Sequence, residues 1–97
     1  MAIKITTDKK VTRVRPKNKV FTLEELQKQV GGYIELLPLK SVPEFKLTDA
    51  IMVLNEEGKL LCLPMNQMAT DLLTRNYPKS TDVIVGDVLI CKSKEIA

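Results

Sequence analysis

The sequence predicts an α+β fold, in which two helices accompany a small, mixed and mostly antiparallel sheet of five to six strands. Three observations support this prediction: short apolar runs typical of strands, two capped segments with amphipathic helical spacing, and Pro or Gly between the segments. The predicted order is ββαβββαβ, with one more strand if the last segment divides. This order lacks the regular alternation of a parallel α/β fold.

The chain has 97 residues, which is enough for one domain, spanning 1–97, and too short for two. Its four aromatic residues and the absence of Trp leave Leu, Ile, Val and Met to build the core. Because a small core leaves apolar surface exposed, a second copy of the chain can cover that surface. We therefore expect a homo-oligomer.

Membrane and secreted proteins are disfavoured by the distribution of apolar residues. No apolar run reaches the roughly 18 residues of a membrane span. The first ten residues also lack the apolar centre of a secretory signal. The sequence therefore predicts a cytoplasmic protein with no membrane partner.

Metal and catalytic sites are disfavoured by the residue types present. The chain contains no His, and Cys62 and Cys91 form no CxxC motif, so no metal site is expected. Both thiols are predicted to be buried and reduced, with a disulfide or a reactive thiol as the alternatives. No nucleophile, carboxylate pair or glycine-rich phosphate loop has the spacing that catalysis or cofactor binding requires. We therefore expect neither enzymatic activity nor a cofactor.

Basic side chains are concentrated in residues 1–19, which are predicted to form a hairpin of two short strands. Residues 4–19 contain seven basic side chains and one acidic one, a net charge of +6, whereas the remaining residues have a net charge of −3. Alternation along the second strand places Arg13 and Arg15 on one face. This basic N-terminal hairpin indicates an anionic partner, although solvated basic hairpins are also common.

The first helix is predicted by "FTLEELQKQVGG", which contains both a start and a stop signal. Thr22 is a favoured N-cap, and Glu25, three residues later, completes a capping box. Gly31 or Gly32 provides the left-handed position that ends a helix. The inward face is predicted to contain the apolar residues at helical spacing, Leu23, Leu26 and Val30.

Three further strands are predicted between the two helices. The segment "YIELLPL" forms the first, and Pro38 places its far end at a sheet edge or a bulge. Residues 40–49 are predicted to be a loop. Residues 50–63 are predicted to be a hairpin of two central strands, with a turn from Asn55 to Gly58.

The last segment, "DVIVGDVLIC" at residues 82–91, is apolar but interrupted by Gly86 and Asp87. It can form one strand bent by a bulge, or two short strands that meet at a turn. Either arrangement adds to the predicted sheet.

The second helix is predicted over residues 66–75 by "LPMNQMATDLL", whose polar residues allow two interpretations. Asn66 is a favoured N-cap, so Gln67 and Thr70 can simply be the solvent-facing side of the helix. Alternatively, the free N–H groups of a helix N-terminus attract anions, and the Gln67 amide adds a donor. The second interpretation predicts a binding site at this helix end.

Glu35 is the one charged residue in an otherwise apolar predicted strand. If buried, its carboxyl needs a charged or hydrogen-bonding partner; if exposed, it can pair with a Lys on the neighbouring strand. Tyr33 lies two positions earlier and therefore on the same face. These two side chains are candidates for one binding surface.

Three stretches resemble the blocks of a family of domains of unknown function, number 3846: "FTLEELQKQVGGYIELLPL", "LNEEGKLLCLPMNQMATDLL" and "DVIVGDVLIC". The resemblance covers residues 20–91, the family-like core. It departs from the family pattern at Cys62 and Gln67, where the family often has Gly and Arg. It implies a setting in bacteriophages and mobile elements, an α+β fold and no established enzymatic activity. The shared motif positions are Gly32, Tyr33, Glu35, Asn55, Gly58, Leu63, Pro64, Asn66, Ala69, Thr70 and Gly86.

Together these features predict a non-enzymatic phage or mobile-element accessory protein that acts by binding. The leading hypothesis is a homo-oligomer whose clefts sequester an anionic, nucleotide-like small molecule, as a protein that counters host defence would. The candidate ligand-binding residues are Tyr33, Glu35, Asn66, Gln67, Thr70, Arg13 and Arg15.

Two other functions compete with this hypothesis. A nucleic-acid-binding regulator would use the basic side chains of residues 4–19, although no aromatic residues are interleaved among them for base stacking. A direct inhibitor of a host enzyme would bind a host protein instead. The salt dependence of nucleic-acid binding and thermal stabilisation by nucleotides separate these hypotheses.

Overall fold

A five-stranded antiparallel sheet organises the computed structural model, which describes all residues, 1–97. Along the chain the elements are β1 (Ala2–Ile5), β2 (Val11–Val14), α1 (Leu23–Val30), β3 (Ile34–Val42), β4 (Leu47–Asn55), α2 (Gln67–Asn76) and β5 (Val88–Lys92). The strand order is β2-β1-β5-β4-β3, and every neighbouring pair is antiparallel. The predicted α+β class is confirmed, with five strands and no parallel pair.

The two helices cover opposite faces of the sheet, so the molecule has three layers. On one face, Leu26 of α1 and the preceding Phe21 pack with Val53 of β4 and Leu89 of β5 in a buried cluster. On the other face, α2 contributes to a larger buried cluster that consists of Ile3, Ile5, Leu39, Val42, Ala50, Met52, Ala69, Leu72, Leu73, Ile84, Val88 and Ile90. Each helix thus buries its apolar side against the sheet, as an amphipathic helix requires.

Strand β5 is buried on both faces because it lies in the middle of the sheet. Val88 and Ile90 belong to the cluster beneath α2, whereas Leu89 and Cys91 belong to the cluster beneath α1. Each of these four side chains is at most 1% exposed. A strand covered on both sides needs an unbroken apolar run, and "VLIC" supplies one.

The local signals for the N-terminal hairpin and for both helix starts are confirmed. Helix α1 begins with the predicted capping box between Thr22 and Glu25, and it ends at Gly31, whose φ of 81° is left-handed. Helix α2 begins after the predicted N-cap, Asn66. The predicted inward position of Leu23 is wrong, because this side chain is 57% exposed and only the later turns of α1 face the sheet.

The predicted loop at residues 40–49 is wrong, because β3 continues to Val42 and β4 begins at Leu47. A single turn of 3-10 helix, Pro43–Phe45, joins the two strands, and Lys46 follows it in a left-handed conformation with φ of 54°. Pro38 does not end the strand. Because β3 is an edge strand, as Pro38 predicted, a missing N–H donor does not disrupt the sheet.

The predicted hairpin at residues 50–63 is also wrong in its second half. The turn forms, since the Gly58 N–H donates to the Asn55 carbonyl at 3.2 Å. Residues 59–63 then make no strand, because β5 already pairs with the side of β4 that faces away from β3. Gly58 does not adopt positive φ; a Cβ there would lie 2.8 Å from Val85 Cγ2, which explains the glycine instead.

The last predicted segment divides at Gly86, which has φ of 81°. Only its second half forms a regular strand, β5, whereas Val85 makes an isolated bridge with Met65. Of the two alternatives, division at a turn is therefore closer to the structure than one bent strand.

Candidate functional site at the basic end of the sheet

Asn66, the centre of the predicted anion site, is completely buried and its hydrogen bonds are all internal. Its side-chain oxygen accepts from the Ala69 N–H at 3.0 Å, as an N-cap does. Its side-chain amide donates to the carbonyls of Ile5 and Gly86, both at 3.0 Å. Asn66 thus joins α2 to β1 and to the segment before β5, and both donors of its buried side-chain amide are used within the protein.

The neighbouring predicted residues do not converge on a ligand either. Thr70 is 8% exposed, and its hydroxyl accepts from the Ile84 N–H at 2.9 Å. The prediction that Thr70 faces solvent is therefore wrong. Gln67 is exposed, but its amide donates to Asp71 one turn later at 2.9 Å. The N-terminus of α2 is held by the protein itself.

Tyr33 and Glu35 lie at the start of the edge strand β3 and are both exposed. The register places Glu35 opposite Leu54, so the predicted cross-strand pair with a Lys does not form. Glu35 lines a cleft that also contains the carboxylate of Glu56. Its surroundings therefore do not suit an anion.

Arg13 and Arg15 lie at a different end of the sheet, where they line two adjoining cavities. Arg15 borders an open cavity of about 760 Å³, whose wall also contains Lys19, Lys92 and Lys94. Arg13 borders a cavity of about 540 Å³ together with Lys46. We call the surface formed by these six basic side chains the basic end. Met1 and Leu47 belong to both cavity walls, so the surface is continuous.

The three predicted parts of the site are therefore separate. The cleft beside Glu35 lies apart from the two cavities beside Arg13 and Arg15, and none of the three is lined by Tyr33, Asn66, Gln67 or Thr70. The structure does not bring the seven predicted ligand-binding residues together around one ligand.

The pairing of the strands brings the residues of the basic end together at one end of the sheet. Strands β2 and β5 end there, and β1 and β4 begin there, because Ile3 pairs with Arg13 and with Ile90, and Ala50 pairs with Lys92. Lys46, Lys92 and Lys94 are thereby brought beside the basic N-terminal hairpin. The sequence alone did not identify these three lysines as part of a site. They are far from the hairpin along the chain, and only strand pairing reveals their proximity.

The positive charge of the basic end is not neutralised within the molecule. None of its six basic side chains forms an ion pair. The two carboxylates in its walls are already engaged: Glu44 pairs with Arg75, and Glu95 pairs with the N-terminal amine. The hydrogen bond from Arg75 lowers the pKa of Glu44, so this carboxyl stays ionised and stays paired.

The remaining polar chemistry is limited. Cys91 is buried and reduced as predicted, and burial raises the pKa of its thiol to about 11. Cys62 is exposed, which corrects the prediction for that thiol, and the two cysteines form no disulfide.

No group of His, Cys, Asp and Glu side chains is placed to hold a metal ion. Neither helix has the length and the apolar composition needed to cross a bilayer.

Comparison with known proteins gives one match. Neither the curated proteins nor the solved structures contain a significant match to this chain. A family model covers residues 1–96 and thus includes the N-terminal hairpin as well as the family-like core. The chain therefore belongs to the family described as domain of unknown function 3846.

Proposed function

We propose that this protein acts by binding the phosphate backbone of a nucleic acid at its basic end, without catalysing a reaction. One observation supports this proposal most directly. Six basic side chains from three separate chain segments surround two adjoining cavities, and none of the six is paired with a carboxylate of the same molecule. Unpaired Lys and Arg side chains on one surface are the electrostatic footprint of nucleic-acid binding.

The shape of the basic end favours a polymer of phosphates over a single small molecule. Both cavities are open to solvent and adjoin one another. Small-molecule sites usually bury about 70–90% of their ligand, which an open surface does not do. Phosphates spaced along a backbone can instead contact Arg13 and Arg15 in successive cavities, and each contact releases counterions from the nucleic acid.

The cavity walls between the basic side chains contribute little to recognition of a particular nucleotide sequence. The cavity beside Arg13 contains the apolar side chains of Val11, Phe45 and Leu47, and Tyr is absent from both walls. Lys and Arg side chains on an open surface contact phosphates, and phosphate contacts carry no direct sequence information. We therefore expect binding with weak sequence preference.

A salt titration tests the proposal. The affinity for a fluorescent 20-mer, single-stranded or duplex, is measured between low and physiological salt for the wild type and for Arg15→Gln/Lys94→Gln. Both residues are exposed, so the substitutions should not affect folding. Loss of two phosphate contacts should reduce the slope of log K against log salt by about 1.8 for duplex DNA and about 1.4 for a single strand.

The matched control is Lys40→Gln/Lys79→Gln, which removes the same charge from exposed positions outside both cavities. It should leave the slope at the wild-type value. Equal slopes for the two double variants, or no binding by the wild type, would overturn the proposal.

A nucleotide-like small molecule is a second candidate, because the cavity beside Arg15 has a volume of about 760 Å³. Ligand sites typically range from about 300 to 1,000 Å³. A mononucleotide or cyclic nucleotide that binds the folded state should raise the thermal midpoint, and Arg15→Gln should abolish the shift. A shift that survives Arg15→Gln would place the nucleotide elsewhere.

We also propose that the protein works in a phage or mobile-element setting, where it counters host defence. The resemblance of three sequence blocks to a family that is frequent in bacteriophages and mobile elements supports this. A cytoplasmic location and a homo-oligomeric state stay predictions alongside it. Expression in a bacterial host followed by phage challenge tests the setting, and Arg15→Gln/Lys94→Gln tests whether any protection of the phage requires the basic end.

A further inference from the structure

The opposite end of the sheet contains a cleft of about 300 Å³ with an apolar wall and an acidic rim. It lies between the start of β3, the turn after β4 and residues 82–85. Its apolar side chains are Leu37, Leu54, Leu60, Leu73, Val83, Ile84 and Val85. Its carboxylates are Glu35, Glu56 and Asp82, and its one basic side chain is Lys59. We call this site the acidic cleft.

Two of the three carboxylates have no cationic partner. Asp82 pairs with Lys59, whereas Glu35 and Glu56 form no ion pair. The backbone fixes their proximity, because Glu35 pairs in register with Leu54 and the Glu56 N–H donates to the Tyr33 carbonyl at 2.8 Å. The acidic cleft therefore has an unbalanced negative charge above an apolar wall.

The apolar wall is more exposed than the sheet requires. Leu60 is 82% exposed and Val83 is 38% exposed, and both line the cleft. Leu61, the next residue, is 54% exposed. Exposed apolar side chains next to a pocket are typical of surfaces that bind another protein.

We propose that the acidic cleft binds an Arg or Lys side chain of a partner protein, with an apolar residue of the same segment packed on Leu60. The long stem of Arg or Lys is apolar and can pack along the wall, while its charged group reaches the rim. There it meets Glu35 and Glu56, whose carboxylates accept charge-assisted hydrogen bonds. A ligand with only one of these properties would leave either the wall or the rim unmatched.

This site is separate from the basic end and does not depend on nucleic-acid binding. Unpaired carboxylates repel phosphates, so a nucleic acid at the basic end would not occupy the acidic cleft. The two ends of one sheet would then contact two different partners.

A peptide titration followed by NMR tests the proposal. The probe is the peptide Leu-Leu-Arg-Leu-Leu, capped at both ends, added to the ¹⁵N-labelled full chain at low salt. The shifted amide signals should be confined to the cleft, at Glu35, Glu56, Lys59 and Val83. Binding should weaken as salt screens the charges. The comparison peptide Leu-Leu-Glu-Leu-Leu should cause no shifts.

Two variants locate the interaction. Glu35→Gln/Glu56→Gln removes both unpaired charges from exposed positions, and we expect affinity for the Arg peptide to fall about fivefold, the scale of two exposed charge contacts. Leu60→Ser should also weaken binding, because it removes the exposed apolar contact. The matched control, Glu24→Gln/Glu57→Gln, changes the net charge equally at exposed residues outside the cleft and should bind like the wild type.

Three results would overturn the proposal. Equal shifts with the Arg and Glu peptides would show that charge is not recognised. Shifts outside the cleft would show that the peptide binds elsewhere. Concentration-dependent shifts at both the cleft and the basic end without peptide would show that a second copy of this chain occupies the cleft.

Discussion

Helices α1 and α2 both begin with a side-chain cap, but the two caps lie in opposite surroundings. Thr22 is exposed, and its capping box with Glu25 uses only residues of the same turn, at distances of 3.0 and 3.1 Å. Asn66 is completely buried, and besides capping Ala69 it donates to Ile5 and Gly86. The first cap is a local structure, whereas the second connects three parts of the fold.

The difference shows which helix end can be a binding site. A cap residue predicts where a helix starts from local sequence, but an anion also needs access to the free N–H groups. At α2, the Asn66 N–H donates to the Ile84 carbonyl at 2.8 Å, and the Ala69 N–H is already capped by the Asn66 side chain. The polar motif that looks most like a site is therefore a structural junction.

The largest expected effect is that of Asn66→Ala. The variant loses the cap and the side-chain amide that donates to the buried carbonyls of Ile5 and Gly86, so we expect the free energy of unfolding to fall by about 3 kcal/mol. Urea unfolding measures this loss. A loss no greater than that of an exposed cap would contradict the role of Asn66 as a junction.

The next largest effect is expected for Thr70→Val, which preserves the shape of the side chain. It removes the acceptor of the Ile84 N–H, now at 2.9 Å, and the unfolding free energy should fall by about 2 kcal/mol. Hydrogen exchange of the Ile84 amide should accelerate by more than the loss of global stability explains. Thr70→Ser keeps the hydroxyl and should retain the slow exchange.

Thr22→Ala should have a smaller effect, because the exposed N–H of Glu25 can bond to water once the cap is lost. We expect a loss of about 1 kcal/mol, measured by the same urea unfolding. Thr22→Ser restores the acceptor and serves as the control. If Thr22→Ala cost as much as Asn66→Ala, burial would not distinguish the two caps.

The smallest effect concerns pH. Hydrogen bonds from the backbone N–H groups of Thr22 and Lys17 lower the pKa of Glu25 from its ordinary value of 4.5. A carboxyl group with a lowered folded-state pKa stabilises the fold above pH 4.5, and this contribution is lost as the pH falls through the folded-state pKa. Glu25→Gln should therefore be less stable than the wild type at neutral pH, and the difference should shrink in acid. The deficit of Asn66→Ala should not change with pH, because no ionisable group takes part.

Local signals predicted the elements that depend on neighbouring residues. The capping box at Thr22, the left-handed Gly31 and the N-cap Asn66 all lie where the sequence placed them. The predicted hairpin at residues 50–63 was wrong because tertiary pairing decides it: β5 occupies the position beside β4 that residues 59–63 would need.

The candidate site was only half predictable for a similar reason. The charge run of residues 4–19 identified Arg13 and Arg15, since their positive charge is visible in the sequence. Lys92 and Lys94 join them only through the pairing of β1 with β5. The burial of Asn66 likewise depends on Gly86, twenty residues away, so no local pattern could show that it is inaccessible.

The position of β5 has a consequence for synthesis on the ribosome. Strand β5, which joins β1 to β4, is the last of the five strands along the chain, whereas its partner β1 is the first. Until residues 88–92 emerge, the nascent polypeptide holds two separate hairpins with unpaired edges, each too small to be stable alone. The last strand therefore completes the sheet, and a chain truncated before residue 88 should remain sensitive to protease.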